Sequence, residues 1–328
     1  MKTEIKKPSY EVLCEAAELI KKGEVVAIPT ETVYGLAADA YNPEACAKIF
    51  KAKGRPQDNP LIVHISDVVE AEDVATEIPD VFYALAKAFM PGALTVVLKK
   101  SDRIPDIVTA GGNTVAVRMP DNEVARELIS RSRPLAAPSA NRSKHVSPTT
   151  AQHVYDDLAG RVPLILDGGE CGVGIESTVL DLTSDVPVML RPGAVTAEML
   201  APYLGIAPGS GKVIGVAKSP GMKYTHYAPA AEAYAAESAE SAAKFYDECT
   251  KRGARPVLLF RDSAAEALGG RDRISLGSDT DGYMRRVYAA LREAEREYDV
   301  IIVEMLKGGG REASVMNRVM KAVGGKTV

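Results

Sequence analysis

The sequence predicts an α/β protein in two parts: a mixed, twisted sheet with flanking helices over residues 1–205, and a smaller α/β domain over residues 230–328. Three observations carry the prediction. Short β-rich runs alternate with capped amphipathic segments in the first part, without strict βαβ regularity. From about 206 to 229 the composition turns to Gly, Pro and Ser with no helical or alternating period, as in a linker. A length of 328 residues is too great for one typical core and suits two.

The elements follow in order. Ser9 and Gly23 bracket a helix whose Val12, Leu13, Ala16, Leu19 and Ile20 share one apolar face. Asn42-Pro43 reads as N-cap and first helical residue, and Gly54 as the residue past the end, so a helix runs through Lys53. Ser147-Pro148 and Gly160 bracket another in the same way. Strands are predicted at Val25–Pro29, Leu61–Ile65, Leu94–Leu98, Thr114–Val117, Val162–Leu166 and Thr178–Leu182. Beyond the linker an Ala- and Glu-rich helix leads to a strand at Pro256–Phe260. A helix near Gly282–Tyr298, a strand at Val300–Met305 and a last helix near Arg311–Val323 follow. That alternation is Rossmann-like.

Hydrophobic residues make up 46% and charged residues 26%, an ordinary globular balance. No apolar run approaches the roughly 20 residues that span a bilayer, and the first residues lack the apolar core of a signal peptide. The four cysteines are far apart, which argues against zinc and against a disulfide framework. The expectation is a cytoplasmic protein with no membrane partner. A net charge of −4 makes the whole chain a poor ligand for long polyanions. Lys48, Lys51, Lys53 and Arg55 nevertheless stand against Asp58 alone, a local focus suited to a small anion.

Two stretches imitate phosphate loops and fail on mechanism. Gly209-Ser210-Gly211-Lys212 has Ile206 where a P-loop needs its first Gly, and Val213 in place of the Mg²⁺-binding hydroxyl. Gly172-Val173-Gly174 has Ser177 at the third Gly position and precedes a strand.

Five other stretches could carry chemistry. Pro29-Thr30-Glu31-Thr32-Val33-Tyr34-Gly35-Leu36 follows a strand end, where open α/β sheets place ligand groups; it reads equally as a capped turn into a helix. Lys53-Gly54-Arg55-Pro56, followed by Asn59-Pro60, joins two cations and an amide. Lys53 is stabilised in any last helical turn, whereas Arg55 is aimed by a stiff Gly–Pro frame and suits a triphosphate. His64 ends Leu61-Ile62-Val63, as structural histidines commonly do. Only four His are present, none at metal spacing. Gly111-Gly112-Asn113-Thr114 leads to Arg118, which wants either a protein carboxylate or a substrate carboxylate. Pro138–Ser143 carries Ser139 and Asn141 with no His–Asp pair nearby in sequence, and otherwise reads as a self-capping turn. Gly174-Ile175-Glu176-Ser177-Thr178, with Arg191-Pro192-Gly193 downstream, is the fifth. Polar strand ends are destabilising unless something uses them, so five in one domain point to an anion-binding enzyme.

In order and spacing, PTETVYGL, KAKGRPQDNPLIVHI, NTVAVRMP, PSANRS, GIESTV and LRPGAV resemble the YrdC-like catalytic domain of threonylcarbamoyl-AMP synthases. The linker SPGMKYTHYAP and the appended domain resemble the long, two-domain form. The resemblance implies a nucleotidyltransferase that joins L-threonine, bicarbonate or CO₂, and ATP into threonylcarbamoyl-AMP and pyrophosphate. A downstream threonylcarbamoyltransferase machinery then modifies the adenosine beside the anticodon of tRNAs. By motif position, Lys53, Arg55, Ser139 and Asn141 carry the catalytic signatures. ATP meets Arg55, Asn59, Thr114, Ser139, Ser147 and Arg191, with Tyr224 or Tyr227 closing over it. Threonine meets Thr32, His64, Arg118, Ser177 and the backbone of Ala137. Mg²⁺ is held mainly by phosphates, with no metal ligand from protein side chains, and any direct contact with tRNA is weak.

In that chemistry the threonine carbamate is its own nucleophile, so the protein need only position reactants and stabilise charge. Carbamates decompose in water, and the linker with Tyr224, His226 and Tyr227 is expected to act as a lid. Two rivals remain: a non-catalytic RNA-binding module, which the net charge weakens, and a carbamoyltransferase of hydrogenase maturation, which needs zinc-binding cysteines that four scattered ones cannot supply.

Overall fold

Ser9 and Asn42 cap the first two helices as their context requires. In the computed structural model, which describes residues 1–210, 218 and 228–328, the Ser9 side chain accepts from Val12 N–H and the helix runs Tyr10–Lys21. Asn42 accepts from Ala45 N–H, Pro43 opens the helix Pro43–Lys53, and Gly54 ends it in the left-handed region at φ 60°. The third bracket differs. The helix begins at Ala151 with Thr150 as N-cap, not at Ser147-Pro148. The Pro148 carbonyl accepts from Tyr34 N–H at 2.9 Å and the Thr149 carbonyl from Cys171 N–H at 3.0 Å. Those two residues are tied to other segments before a helix can start.

Contacts divide the described residues into two units. One holds 1–143, 148–171 and those from 176 onward up to 218; the other holds 144–147, 172–175 and 228–328. The strands of the first unit are β1 (Glu4–Lys6), β2 (Val26–Ile28), β3 (Gly35–Asp39), β4 (Ile62–His64), β5 (Ala75–Thr76), β6 (Leu94–Lys100), β7 (Thr114–Arg118), β8 (Leu135–Ala136), β9 (Leu164–Leu166), β10 (Thr178–Asp181), β11 (Val188–Arg191) and β12 (Gly209–Ser210). In space they run β1-β9-β2-β3-β8-β4-β7-β6-β10-β11-β12, with β5 beside β6. The sheet is mixed as expected: β4 with β7 and β6 with β10 are parallel, while β3 with β8 and β6 with β7 are antiparallel. PTETVYGL does not lead into a helix; its Gly35 starts β3, antiparallel to β2. One face of the sheet enters the main core, with Leu36, Val63, Val96, Val115 and Val117. The β2, β3 and β9 end of the other face is covered by the helices Tyr10–Lys21 and Glu123–Arg131 through Leu13, Ile20, Leu128 and Ile129.

The second unit holds β13 (Glu232–Ala236), β14 (Pro256–Phe260), β15 (Arg273–Ser275) and β16 (Val300–Glu304), ordered β13-β16-β14-β15. Every pairing is parallel, with the helices Ala239–Lys251, Thr280–Glu297 and Gly310–Ala322 between and after the strands. Val257, Leu259, Ile301 and Val303 on one face and Leu258 and Ile302 on the other are fully buried, so the strands are sequestered on both faces as parallel strands require. No helix among the described residues is long and apolar enough to cross a membrane.

Candidate active site

Alternation along the central strands decides which side chains can meet. Val63, Val96, Leu98, Val115, Val117 and Leu180 enter the main core. Their neighbours point the opposite way, where Ile62, Val97, Ala116 and Val179 make a small apolar floor. Register sets His64 opposite Arg118, and both Thr95 and Arg191 opposite Val179. Thr114 shares the face of Ala116 and Arg118, and Ser177 that of Val179. One sheet face therefore carries His64, Thr95, Thr114, Arg118, Ser177 and Arg191. The sequence places the polar groups at strand ends, and the structure agrees: His64, Arg118 and Arg191 close β4, β7 and β11, and Thr114 opens β7. Thr114 and Arg118 are roughly 13 Å apart at about 3.3 Å per residue. The polar groups run across the face, long enough for an extended ligand.

Arg118 is 4% exposed and meets a protein carboxylate: its Nη2 donates to Glu31 Oε1 at 2.7 Å, and its Nε to the Gly92 carbonyl at 3.3 Å. His64 beside it lies with Nδ1 3.1 Å from the Ile62 carbonyl. A carbonyl only accepts, so Nδ1 carries the proton and Nε2 is left as an acceptor. Burial, helped by the Arg118 charge, pushes the His64 pKa down to about 3, so the ring is neutral at physiological pH. Thr32 is fully buried, with its hydroxyl 2.9 Å from that of Thr30. Thr30 in turn donates to the Val33 carbonyl at 2.7 Å, which fixes the turn. Ala137 donates its N–H to the Ile62 carbonyl at 2.9 Å and so lies beside β4.

Arg191 holds Ser177 twice, from Nε to the carbonyl at 2.9 Å and from Nη2 to the hydroxyl at 3.0 Å. The same hydroxyl is 2.7 Å from Thr95 Oγ1. This close approach needs Gly193, where an added Cβ would sit 2.4 Å from Thr178 N.

Lys53 builds a knot between segments far apart in sequence. Its Nζ donates to the Ser139 carbonyl, to the Asn141 carbonyl at 2.6 Å and to Asn141 Oδ1 at 3.3 Å. Ser139 Oγ donates to Asn141 Oδ1 at 2.6 Å. Ser139 also bridges Gly35, and Leu36 next to Gly35 faces the main core, so Ser139 lies on the opposite side. Arg55 Nη2 donates to the Asn59 and Pro60 carbonyls at 3.0 and 3.1 Å. Asn59 is 1% exposed, and both polar atoms of its side chain are buried without a hydrogen-bond partner. Such a group calls for a partner, either a ligand or a bound water. Ser147, also fully buried, groups with the second unit. Tyr224 and Tyr227, and with them the expected lid, lie outside the described residues.

Sequence reasoning assigned no role to Glu31, Thr95 or Tyr34. Tyr34 donates its hydroxyl proton to the Gly169 carbonyl at 2.8 Å and accepts from Gly168 N–H at 3.1 Å. Its own carbonyl accepts from Ala140 N–H at 2.7 Å, so it holds the Ser139 loop in place. Lys48, counted in the basic focus, is taken up by Glu24 at 2.7 Å.

Buried arginines, interlocked hydroxyls and a neutral imidazole on one sheet face are an arrangement suited to an α/β enzyme that positions anionic reactants. Burial pushes the Cys171 thiol up to about 12, far from a thiolate nucleophile. Comparison with known proteins gives the particular family. A family profile described as "Telomere recombination" (Sua5, YciO and YrdC) matches residues 18–193, and "Threonylcarbamoyl-AMP synthase, C-terminal domain" matches 195–324. The threonylcarbamoyl-AMP synthase of Pyrococcus abyssi is 45% identical over 94% of this chain and 93% of its own. That of Bacillus subtilis is 44% identical over 96% and 94%. The crystal structure of P. abyssi Sua5 complexed with L-threonine superposes with a TM-score of 0.92 at 41% identity, over 100% of this chain and 98% of that one. The chain belongs to the threonylcarbamoyl-AMP synthase family, in its two-domain form, and is an enzyme of nucleotidyltransferase type. A non-catalytic RNA-binding module is thereby set aside.

Proposed function

We propose that this enzyme condenses L-threonine, bicarbonate or CO₂, and ATP into threonylcarbamoyl-AMP and pyrophosphate, for modification of the tRNA adenosine beside the anticodon. The observation that carries the proposal is the single sheet face bearing His64, Thr114, Arg118, Ser177 and Arg191, with Ser139 on the same side. Its length accommodates a triphosphate beside an amino acid. The threonine complex of the P. abyssi relative supports the amino-acid half.

Arg118 clamps the threonine carboxylate through N–H groups that Glu31 and Gly92 leave over. His64 Nε2 accepts from the substrate hydroxyl or amine, Thr32 and Ser177 orient the same groups, and the Ala137 backbone borders them. On the nucleotide side Arg55, Asn59, Thr114, Ser139, Ser147 and Arg191 receive ATP, with Tyr224 or Tyr227 from the linker. Lys53 and Asn141 hold the Ser139 loop in its working shape, and Lys53 lends it positive charge. The threonine amine captures CO₂, and the carbamate oxygen attacks the α-phosphorus in line as pyrophosphate leaves. The site's work is alignment and charge stabilisation.

Mg²⁺ fits only as a guest of the phosphates, where it would neutralise their charge. Glu31 is engaged by Arg118, and the other donors on this face are cationic or neutral. The product passes to a downstream transferase in the cytoplasm, with at most weak direct contact with tRNA. The test is incubation with ATP, labelled threonine and bicarbonate. Labelled adenylate and stoichiometric pyrophosphate should appear, and omission of any one reactant should abolish both. Pyrophosphate release that ignores threonine would refute the proposal.

A further inference from the structure

Glu31 has no task in the roles assigned above, yet it joins two of the residues that have one. It stands between Thr30 and Thr32 in the turn after β2, its side chain 12% exposed. Its two oxygens reach a segment 87 residues further on: Oε1 accepts from Arg118 Nη2 at 2.7 Å, and Oε2 from the Asp121 backbone N–H at 3.1 Å. One carboxylate thus ties the turn carrying Thr32 to the end of β7 carrying Arg118. The Gly92 carbonyl holds Arg118 Nε separately. The guanidinium plane is fixed at two edges, and its remaining N–H groups are free to receive another anion.

We infer that Glu31 is a positioning residue for the amino acid: it sets the aim of Arg118 and the spacing between Arg118 and Thr32, and so governs threonine affinity but not ATP affinity. The inference rests on the assignment of Arg118 and Thr32 to the threonine site. Two effects of Glu31 oppose each other. Its charge repels an incoming carboxylate, and its hydrogen bond pre-orients the group that receives it. Orientation is the larger effect, because a buried arginine deprived of its counter-ion repacks instead of waiting in place.

Glu31→Gln keeps the shape but loses the charge, and its one carbonyl oxygen can accept from Asp121 N–H or from Arg118, not from both. Threonine KM should rise about tenfold or more, while ATP KM stays within about twofold and kcat at saturating threonine within about threefold. Glu31→Asp keeps the charge but draws it back by one methylene; it should give a smaller rise of the same kind with an unchanged melting temperature. It carries the test should the Gln variant fail to fold. Equal loss of threonine and ATP affinity, or tighter threonine binding, would overturn the inference. Arg118→Lys is measured in parallel. If threonine KM does not respond to Arg118→Lys, the threonine-site assignment is wrong and the inference goes with it. If it responds to Arg118→Lys but to neither Glu31 variant, the inference alone is wrong.

Discussion

The Lys53 knot and the Arg118 face keep buried cations in two different ways. Lys53 donates to the Ser139 and Asn141 carbonyls, fixed main-chain oxygens of one loop. Arg118 sits against the Glu31 carboxylate, a side chain that the Asp121 N–H holds in turn. The first arrangement makes the lysine part of a loop's architecture, so its charge and the loop shape stand or fall together. The second separates the two, because the arginine has N–H groups beyond those that Glu31 and Gly92 take, on a strand paired independently of them. On the proposed assignment, the nucleotide side is built by folding and the amino-acid side is tuned by one ion pair.

The strongest attempt to break that contrast is Lys53→Met, which keeps the stem and removes the charge. Pyrophosphate release dependent on threonine and bicarbonate should fall about 10²–10³-fold, the scale of losing a preorganised electrostatic group. Stability should also fall, by about 1–3 kcal/mol, since two buried carbonyls lose their donor. Activity within tenfold of the parent at an unchanged melting temperature would show the knot to be structural ornament for some other catalyst.

Asn59 sharpens the nucleotide side. Its amide is buried with both polar atoms unpartnered, a cost of about 1–3 kcal/mol that ATP should recover. Asn59→Ala should weaken ATP binding about tenfold by calorimetry, leave threonine binding alone and melt no lower than the parent without ATP. A drop in melting temperature would mean that the amide supports the fold instead.

The contrast also explains what the sequence could reveal. The helix at Pro43–Lys53 was fully legible, because Asn42, Pro43 and Gly54 act within a few residues of one another. So was the choice of Arg118 as a residue needing an anion, though not that the anion is Glu31, 87 residues away. β3 was missed because Gly-Leu-Ala-Ala-Asp has neither alternation nor β-branched residues; it is a strand because β2 and β8 pair with it on either side. Thr95 sits in an apolar run that reads simply as a good strand. Only the register with β10 places its hydroxyl beside Ser177. Long-range pairing is the part of the site that local signals do not encode.

Thr95→Val tests that last pairing gently, since the two side chains have nearly the same shape. Ser177 already accepts from Arg191, so Thr95 decides only where the Ser177 proton points. Threonine KM should rise about two- to fivefold, in keeping with one neutral hydrogen bond of about 0.5–1 kcal/mol. Thr95→Ser should restore it. A valine variant with parent kinetics would make Thr95 a packing residue and nothing more.

The smallest expected effect is none at all, and it concerns His64. Burial and the charge of the neighbouring Arg118 lower the His64 pKa from 6.5 to about 3. No limb of the rate profile between pH 6 and 8 should belong to His64, and its ring carbon resonances should not titrate there by NMR. Stability should nonetheless depend on it at lower pH. Between 6.5 and about 3 the unfolded chain binds a proton that the folded chain refuses, so this contribution is whole above 6.5 and is lost as pH falls toward 3. Replacing His64 with Gln should flatten that part of the stability curve. A His64 that titrates near 6.5 in the folded protein would place it in solvent, and would remove the neutral acceptor on which its role beside Arg118 depends.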